Sequence, residues 1–285
     1  QDLSRLWDRI IFGSSREIKY KVEGHFKTGP VLDIQKTIRE WPTIEKGDME
    51  KVRVMKRRLP EEQLIKKPRL IRARLVGDLS GSMDAKKQHV LEQCMVLLLS
   101  SLYEFNSRLN LERSRTKSNL EVDTEAWAFG SEYQKIKPLR HDNPYQDDRA
   151  AMIQMFEKLQ ANLGYTDDFK VLDQINDVLS PEDREDIKSG EIMEIVLEVT
   201  DGGSTVNQSL DPTRARQSVD ALLASEVISR AFQIGAVNAD EIKTFNAVWN
   251  NGREKKLGEI VGENIANLLP AMTAVLKEYL GSVRL

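Results

Sequence analysis

The stretch that most constrains this chain runs Leu75-Val76-Gly77-Asp78-Leu79-Ser80-Gly81-Ser82-Met83. Leu70, Ile71, Leu75 and Val76 read as an apolar strand that ends at Asp78. Gly81 breaks the pattern, and a long helical run begins near Asp84. Asp78, Ser80 and Ser82 stand two apart, so in extended backbone their side chains point to one side. All three offer oxygen, the ligand type that Mg²⁺ and Mn²⁺ prefer.

From residue 70 onward, strand-like and helix-like stretches alternate. Residues 84–106 place Val90, Leu91, Met95, Leu98, Leu102 and Phe105 at helical spacing, and a polar loop follows through Arg113 to Ser118. Strands over 122–129 and 133–139 flank Gly130-Ser131 and read as a hairpin, hence one antiparallel edge strand. Helices are predicted over 148–161 and 168–179, with Ser180-Pro181-Glu182-Asp183 capping another. Residues 192–200 read as an almost continuous apolar strand closed by Asp201-Gly202-Gly203, as expected when both sheet faces are covered. A helix over 211–225, a strand over 227–237, a helix over 239–249, a strand over 256–261 and a helix over 263–280 complete the series. This alternation predicts an α/β fold: a doubly wound, mostly parallel sheet with one antiparallel edge strand and helices on both faces. Ligands of such sheets bind beyond the carboxyl ends of the strands, where strand order reverses. Asp78 and Asp201 both stand at strand ends of that kind.

The remaining signals are weaker. Leu6, Trp7, Ile10, Ile11 and Phe12 form an apolar cluster that must pack on something, and Leu32, Ile34, Ile38 and Trp41 have near-helical spacing ended by Pro42. Residues 51–74 carry ten Lys and Arg against Glu61 and Glu62, and Pro60 and Pro68 point to an irregular connector. A net charge of −3 argues against binding nucleic acid by bulk charge. The single cysteine, Cys94, excludes an internal disulfide and reads as a small buried hydrophobe. The apolar run 94–99 is far too short to span a bilayer, and with no export signal visible the expected location is the cytoplasm.

Asp-x-Ser-x-Ser after a hydrophobic strand resembles the first part of the metal-ion-dependent adhesion site, or MIDAS, of von Willebrand factor A domains. That resemblance implies two further pieces, a loop Thr and an Asp closing another apolar strand. Gly164-Tyr165-Thr166-Asp167-Asp168 supplies Thr166, and Asp201 supplies the second, in the family's order and near its usual spacing. The likeness implies a Rossmann-like von Willebrand A domain over 69–285, with 1–68 as an N-terminal extension and basic linker. It implies a metal site of Asp78, Ser80, Ser82, Thr166 and Asp201, filled by Mg²⁺ or Mn²⁺. One coordination position stays open there for an acidic side chain of a protein partner. Residues 68–83 are also similar to prokaryotic relatives that work beside MoxR-type AAA+ ATPases, which implies an adaptor or assembly role.

No enzyme pattern competes with this reading. An aspartyl-phosphate phosphatase would carry a second Asp where Ser80 stands. There is no phosphate-binding Gly-x-x-x-x-Gly-Lys-[Ser/Thr] loop, and Asp78 rather than Gly precedes Ser80 by two, so the nucleophile-elbow pattern fails. His25, His89 and His141 are isolated in sequence and read as packing or surface residues. The expectation is a binding module with no catalytic residue. A nucleic-acid-binding protein using the basic segment 51–74 is the second reading, and a metal-dependent hydrolase the third.

Overall fold

The computed structural model describes residues 5, 7, 8, 10, 19–61, 68–116, 119–140, 164–236 and 238–281. The chain divides into two compact units, Ser15–Ile65 and the pair of segments Gln1–Ser14 and Lys66–Leu285. In the smaller unit, β1 (Lys19–Phe26), β2 (Val31–Leu32) and β3 (Met55–Glu61) form an antiparallel sheet with β3 in the centre. The basic stretch is thus not an irregular connector here. Pro60 is tolerated because β2 pairs only with Met55 and Lys56, leaving that side of β3 free at Pro60.

Asp33 caps α1 (Ile34–Glu45), accepting from the Lys36 amide at 3.0 Å. Its other oxygen meets His25 Nε2 at 3.0 Å and Lys56 Nζ at 2.9 Å. These donors, His25 first, hold the Asp33 carboxyl well below the usual carboxylate range. The expected stop at Pro42 is corrected: α1 runs through it to Glu45. A proline in the last turn forfeits one amide bond, while the preceding turns are already nucleated. No residue of α1 is buried, and Ile34, Ile38 and Trp41 are exposed.

In the larger unit, β4 (Leu70–Asp78), β5 (Glu121–Phe129), β6 (Tyr133–Lys137), β7 (Ile192–Thr200), β10 (Ile228–Ile234) and β11 (Gly258–Gly262) form one sheet. Its order is β11-β10-β7-β4-β5-β6, parallel throughout except for the antiparallel β5–β6 edge pair. The order reverses at β4, which pairs with β5 on one side and β7 on the other. Along β4, residues 71, 73 and 75 face a layer formed by α2 (Ala85–Thr116) and α7 (Leu268–Leu280). Leu70 and Val76 face α3 (Asp168–Asp177), α4 (Pro181–Ser189), α5 (Thr213–Ala224) and α6 (Ala239–Trp249). The period of two in the strand thereby divides one apolar run between two cores. None of the described helices is long and apolar enough to cross a membrane.

The Ser180 cap has the predicted form, a capping box in which Ser180 Oγ accepts from the Asp183 amide at 3.0 Å and Asp183 accepts from the Ser180 amide at 3.0 Å. Cys94 is buried, which pushes its thiol up to about 11. The helix predicted over 148–161 lies outside the described residues, as does His141. The expected loop after residue 106 is corrected, because α2 continues to Thr116. Leu109 buries on the core, Arg108 pairs with Glu104 at 2.6 Å, and Asn106 Oδ1 accepts from the Val122 amide at 3.2 Å.

Two further features depend on long-range contacts. Trp7 and Ile10 lie in the α2–α7 core, with the Trp7 indole stacked on Phe105 at 4.3 Å and donating to Ser101 Oγ at 3.1 Å. And β7 is not continuously apolar: Glu194 and Glu198 are buried on its α3–α6 face. Arg74 bridges Glu194 and Glu125 there, while Arg72 reaches Asp183 at 2.7 Å and Arg69 reaches Asp186 at 2.5 Å. These arginines of the basic run are therefore engaged within the fold. Replacing Trp7 by Ala should lower the unfolding free energy by roughly 3–5 kcal/mol, measured by urea denaturation. A loss under about 0.5 kcal/mol, the surface-substitution range, would show that this segment is not part of the core.

Candidate metal centre

The carboxyl ends of β4 and β7 lie side by side, with Gly77 opposite Val199. Asp78 therefore ends next to Thr200, and Asp201 is the first residue beyond β7. Asp78 is fully buried. Its Oδ1 accepts from the Ser80 amide at 2.7 Å, and its Oδ2 accepts from Thr200 Oγ1 at 2.7 Å. Ser80 Oγ lies 2.9 Å from Ser82 Oγ, which donates to Asp201 Oδ1 at 2.7 Å. Ser80 and Asp201 are buried, whereas Ser82 is exposed, so the cluster opens to solvent on the Ser82 side.

Thr166 joins this group through backbone bonds between loops. The Gly81 amide donates to Gly164 O at 2.7 Å, and the Thr205 amide donates to Thr166 O at 2.8 Å. A Cβ on Gly202 would stand 3.6 Å from Thr166 Oγ1, so the third loop runs directly against that hydroxyl. Asp78, Ser80, Ser82, Thr166 and Asp201 thus come from three loops that are hydrogen-bonded to one another. The β8 (Thr205–Val206) and β9 (Ser209–Leu210) hairpin follows directly, with Asn207 and Gln208 both at positive φ in its turn.

The electrostatics are those of a carboxylate-rich buried site. Burial, then the charge of Asp201, pushes the Asp78 carboxyl up to about 6 against the pull of its hydrogen bonds. Asp168, at the start of α3, is pushed up to about 7 by burial while Ser204 Oγ donates to it. Glu198, one pleat below Thr200, is raised well above the usual range by burial and then by Asp168 and Asp78. Among the described residues, neither of its oxygens has a hydrogen-bond partner. Lys87, one turn into α2, places Nζ 2.6 Å from Asp201 Oδ2 and 3.1 Å from Ser82 O.

Sequence reasoning missed Thr200, Lys87 and Glu198. Thr200 was legible in principle, since the residue before Asp201 must lie beside Asp78 in a parallel pair. Lys87 and Glu198 carry no local signal. His25 and His89 have partners of their own, Asp33 at 3.0 Å and Gln93 at 2.9 Å.

The donors fit a hard divalent cation: two carboxylates and three hydroxyls, all oxygen, with one side open for water. Among the described residues no group of three or more His, Cys, Asp or Glu is placed to hold a metal, so hydroxyls are essential to any such site. An ion held by Asp78, Ser80, Ser82, Thr166 and Asp201 would offset the repulsion between the two aspartates.

No protein-family model matches the sequence. The fold as a whole has counterparts among solved structures. The fold is that of a von Willebrand factor A domain. Similar structures include von Willebrand factor type A from Catenulispora acidiphila, at 16% identity and TM-score 0.50 over 74% of this chain and 42% of that one. The mussel byssus proximal thread matrix protein 1 with a zinc-occupied MIDAS motif matches at 16% identity and TM-score 0.50, over 75% of this chain and 46% of that one. Manganese-loaded TRAP protein of Plasmodium vivax matches at 17% identity and TM-score 0.50, over 75% of each chain. At these identities the likeness shows the von Willebrand A fold alone. An uncharacterized protein of Treponema pallidum (strain Nichols) is 25% identical over 217 residues, 76% of this chain. The chain spans about a third, 35%, of the length of that curated relative.

A pH dependence follows from Asp78. Its folded value of about 6 exceeds the ordinary 3.8, so its ionisation costs folding stability progressively as pH rises from below 4 to above 6. Asp78→Asn removes that cost, because the Thr200 hydroxyl can turn to donate to Gly202 O, now 3.4 Å away, and accept from the new amide. In EDTA, Asp78→Asn should be more stable than wild type at pH 8 by up to roughly 3 kcal/mol, at 1.36 kcal/mol per pH unit. The gap should close toward pH 4, as read from urea denaturation across pH.

Proposed function

We propose that the chain is a metal-ion-dependent binding module in which Asp78, Ser80, Ser82, Thr166 and Asp201 hold Mg²⁺ or Mn²⁺ and an acidic side chain of a partner protein completes the coordination. The observation that carries this reading is the convergence of those five oxygen-bearing residues from three mutually bonded loops at the sheet's crossover. Metal ions named for two proteins of the same fold, zinc and manganese, support it by analogy.

A binding role is favoured over turnover by the state of Asp78. Both its oxygens are engaged and none of it is exposed, which suits a fixed ligand and not a nucleophile. Nucleic-acid binding through 51–74 is disfavoured because Arg69, Arg72 and Arg74 are paired with Asp186, Asp183, Glu125 and Glu194. An adaptor role beside a MoxR-type AAA+ ATPase in the cytoplasm extends the same proposal, with the ATPase or its client bearing the acidic group.

Calorimetric titration of Mg²⁺ and Mn²⁺ tests the core of it. Wild type should bind one ion, and Asp201→Ala should lose at least about tenfold in affinity, the lower end for lost metal-site groups. Equal binding by the two proteins would exclude the site. Partner capture should then disappear in EDTA and return with Mn²⁺.

A further inference from the structure

The site proposed above already contains a cation. Lys87 Nζ lies 2.6 Å from Asp201 Oδ2 and 3.1 Å from the Ser82 carbonyl oxygen, with its side chain only 17% exposed. This is not a surface lysine that has drifted onto a carboxylate. Its stem crosses Gly235, which takes φ +85°, and a Cβ there would stand 2.6 Å from Lys87 Cε. The positive φ favours glycine at this position, and its missing side chain leaves room for the lysine stem. Asp84, whose carboxylate caps α2 by accepting the Lys87 amide at 2.8 Å, fixes the turn that aims it.

The charge count gives the position its meaning. Asp78 and Asp201 bring two negative charges into a buried site, and Lys87 neutralises one of them. A divalent ion balances both aspartates by itself, so the ammonium then becomes surplus charge beside the ion, a repulsive arrangement in a partly buried setting. Beside the lysine lies a cavity of about 290 Å³ lined by Asp84, Glu263, Gly235 and Lys86. It offers two carboxylates to an ammonium that leaves Asp201.

We propose that Lys87 is a built-in counter-ion of Asp201 that competes with the divalent metal and withdraws toward Asp84 and Glu263 when the metal binds. The inference rests on the metal-site reading above. It makes the site a cation exchanger: one ammonium holds the loops together without metal, and the metal must displace it. The lysine thus sets the metal concentration at which the module becomes competent.

The test is Mn²⁺ titration of wild type, Lys87→Gln and Lys87→Arg, following free Mn²⁺ by electron paramagnetic resonance, together with thermal melting in EDTA and in saturating Mn²⁺. Lys87→Gln should bind Mn²⁺ roughly tenfold more tightly than wild type, the worth of one partly buried charge contact. Lys87→Arg, which keeps the charge, should bind as weakly as wild type. In EDTA, Lys87→Gln should melt below wild type, and saturating Mn²⁺ should narrow that difference. Equal or weaker Mn²⁺ binding by Lys87→Gln overturns the inference and leaves the metal-site reading standing, as does tighter binding by Lys87→Arg. Binding by none of the three proteins removes both.

Discussion

The fold of the larger unit turns on one juxtaposition, two aspartates brought to the same place at the crossover of a parallel sheet. Asp78 ends β4 and Asp201 follows β7, and the register that pairs Gly77 with Val199 puts them at the same level. Neither carboxylate is solvated to any extent. Each is therefore tied down, Asp78 by the Ser80 amide and the Thr200 hydroxyl, Asp201 by Ser82 and Lys87. Buried carboxylates left without donors would cost more than the rest of the local packing can offset. The donors come from the loop after β4, the end of β7 and the start of α2, so satisfying the aspartates also ties these segments together.

Below that level, the α3–α6 face of the sheet has an unusual interior. Arg74 sits between Glu125 and Glu194, Arg72 approaches Glu194 at 3.7 Å, and Lys135 reaches Glu125 at 2.9 Å. No ion pair reaches Glu198 among the described residues, and burial, then Asp168 and Asp78, raises its carboxyl well above the usual range. The opposite face carries Ile71, Ala73 and Leu75 against α2 and α7 and is apolar in the ordinary way. One face of β4 is thus wholly apolar while the other combines Leu70 and Val76 with ion pairs, and only pairing with neighbouring strands makes those charges tolerable.

Much of this was legible from residues alone. Asp78, Ser80 and Ser82 announce themselves by two-residue spacing after a strand, and the hairpin at Gly130-Ser131 places the one antiparallel edge. The capping box at Ser180 and the helix Ala239–Trp249 follow from local chemistry, Ser and Asn side chains accepting from amides three residues on. Errors arose where distant contacts overrode local signals. Helix α2 outruns its apolar spacing because Leu109, Asn106 and Arg108 find partners far along the chain or across the turn. The apolar cluster at Trp7 calls for a packing partner, but nothing near it in sequence shows that the partner is Phe105.

Sequence by itself determined the alternation, the strand-end aspartates and the type of ligand atom on offer, because these depend on spacing, propensity and functional group. Tertiary structure decided which charges meet. Whether Arg72 and Arg74 face solvent or Glu125, Glu194 and Asp183, and whether Lys87 reaches Asp201 across Gly235, depends on strand order and on the packing of α2 against the sheet. Electrostatic partners are chosen through space, Arg74 and Glu194 across 120 residues of sequence, and no local period encodes that choice.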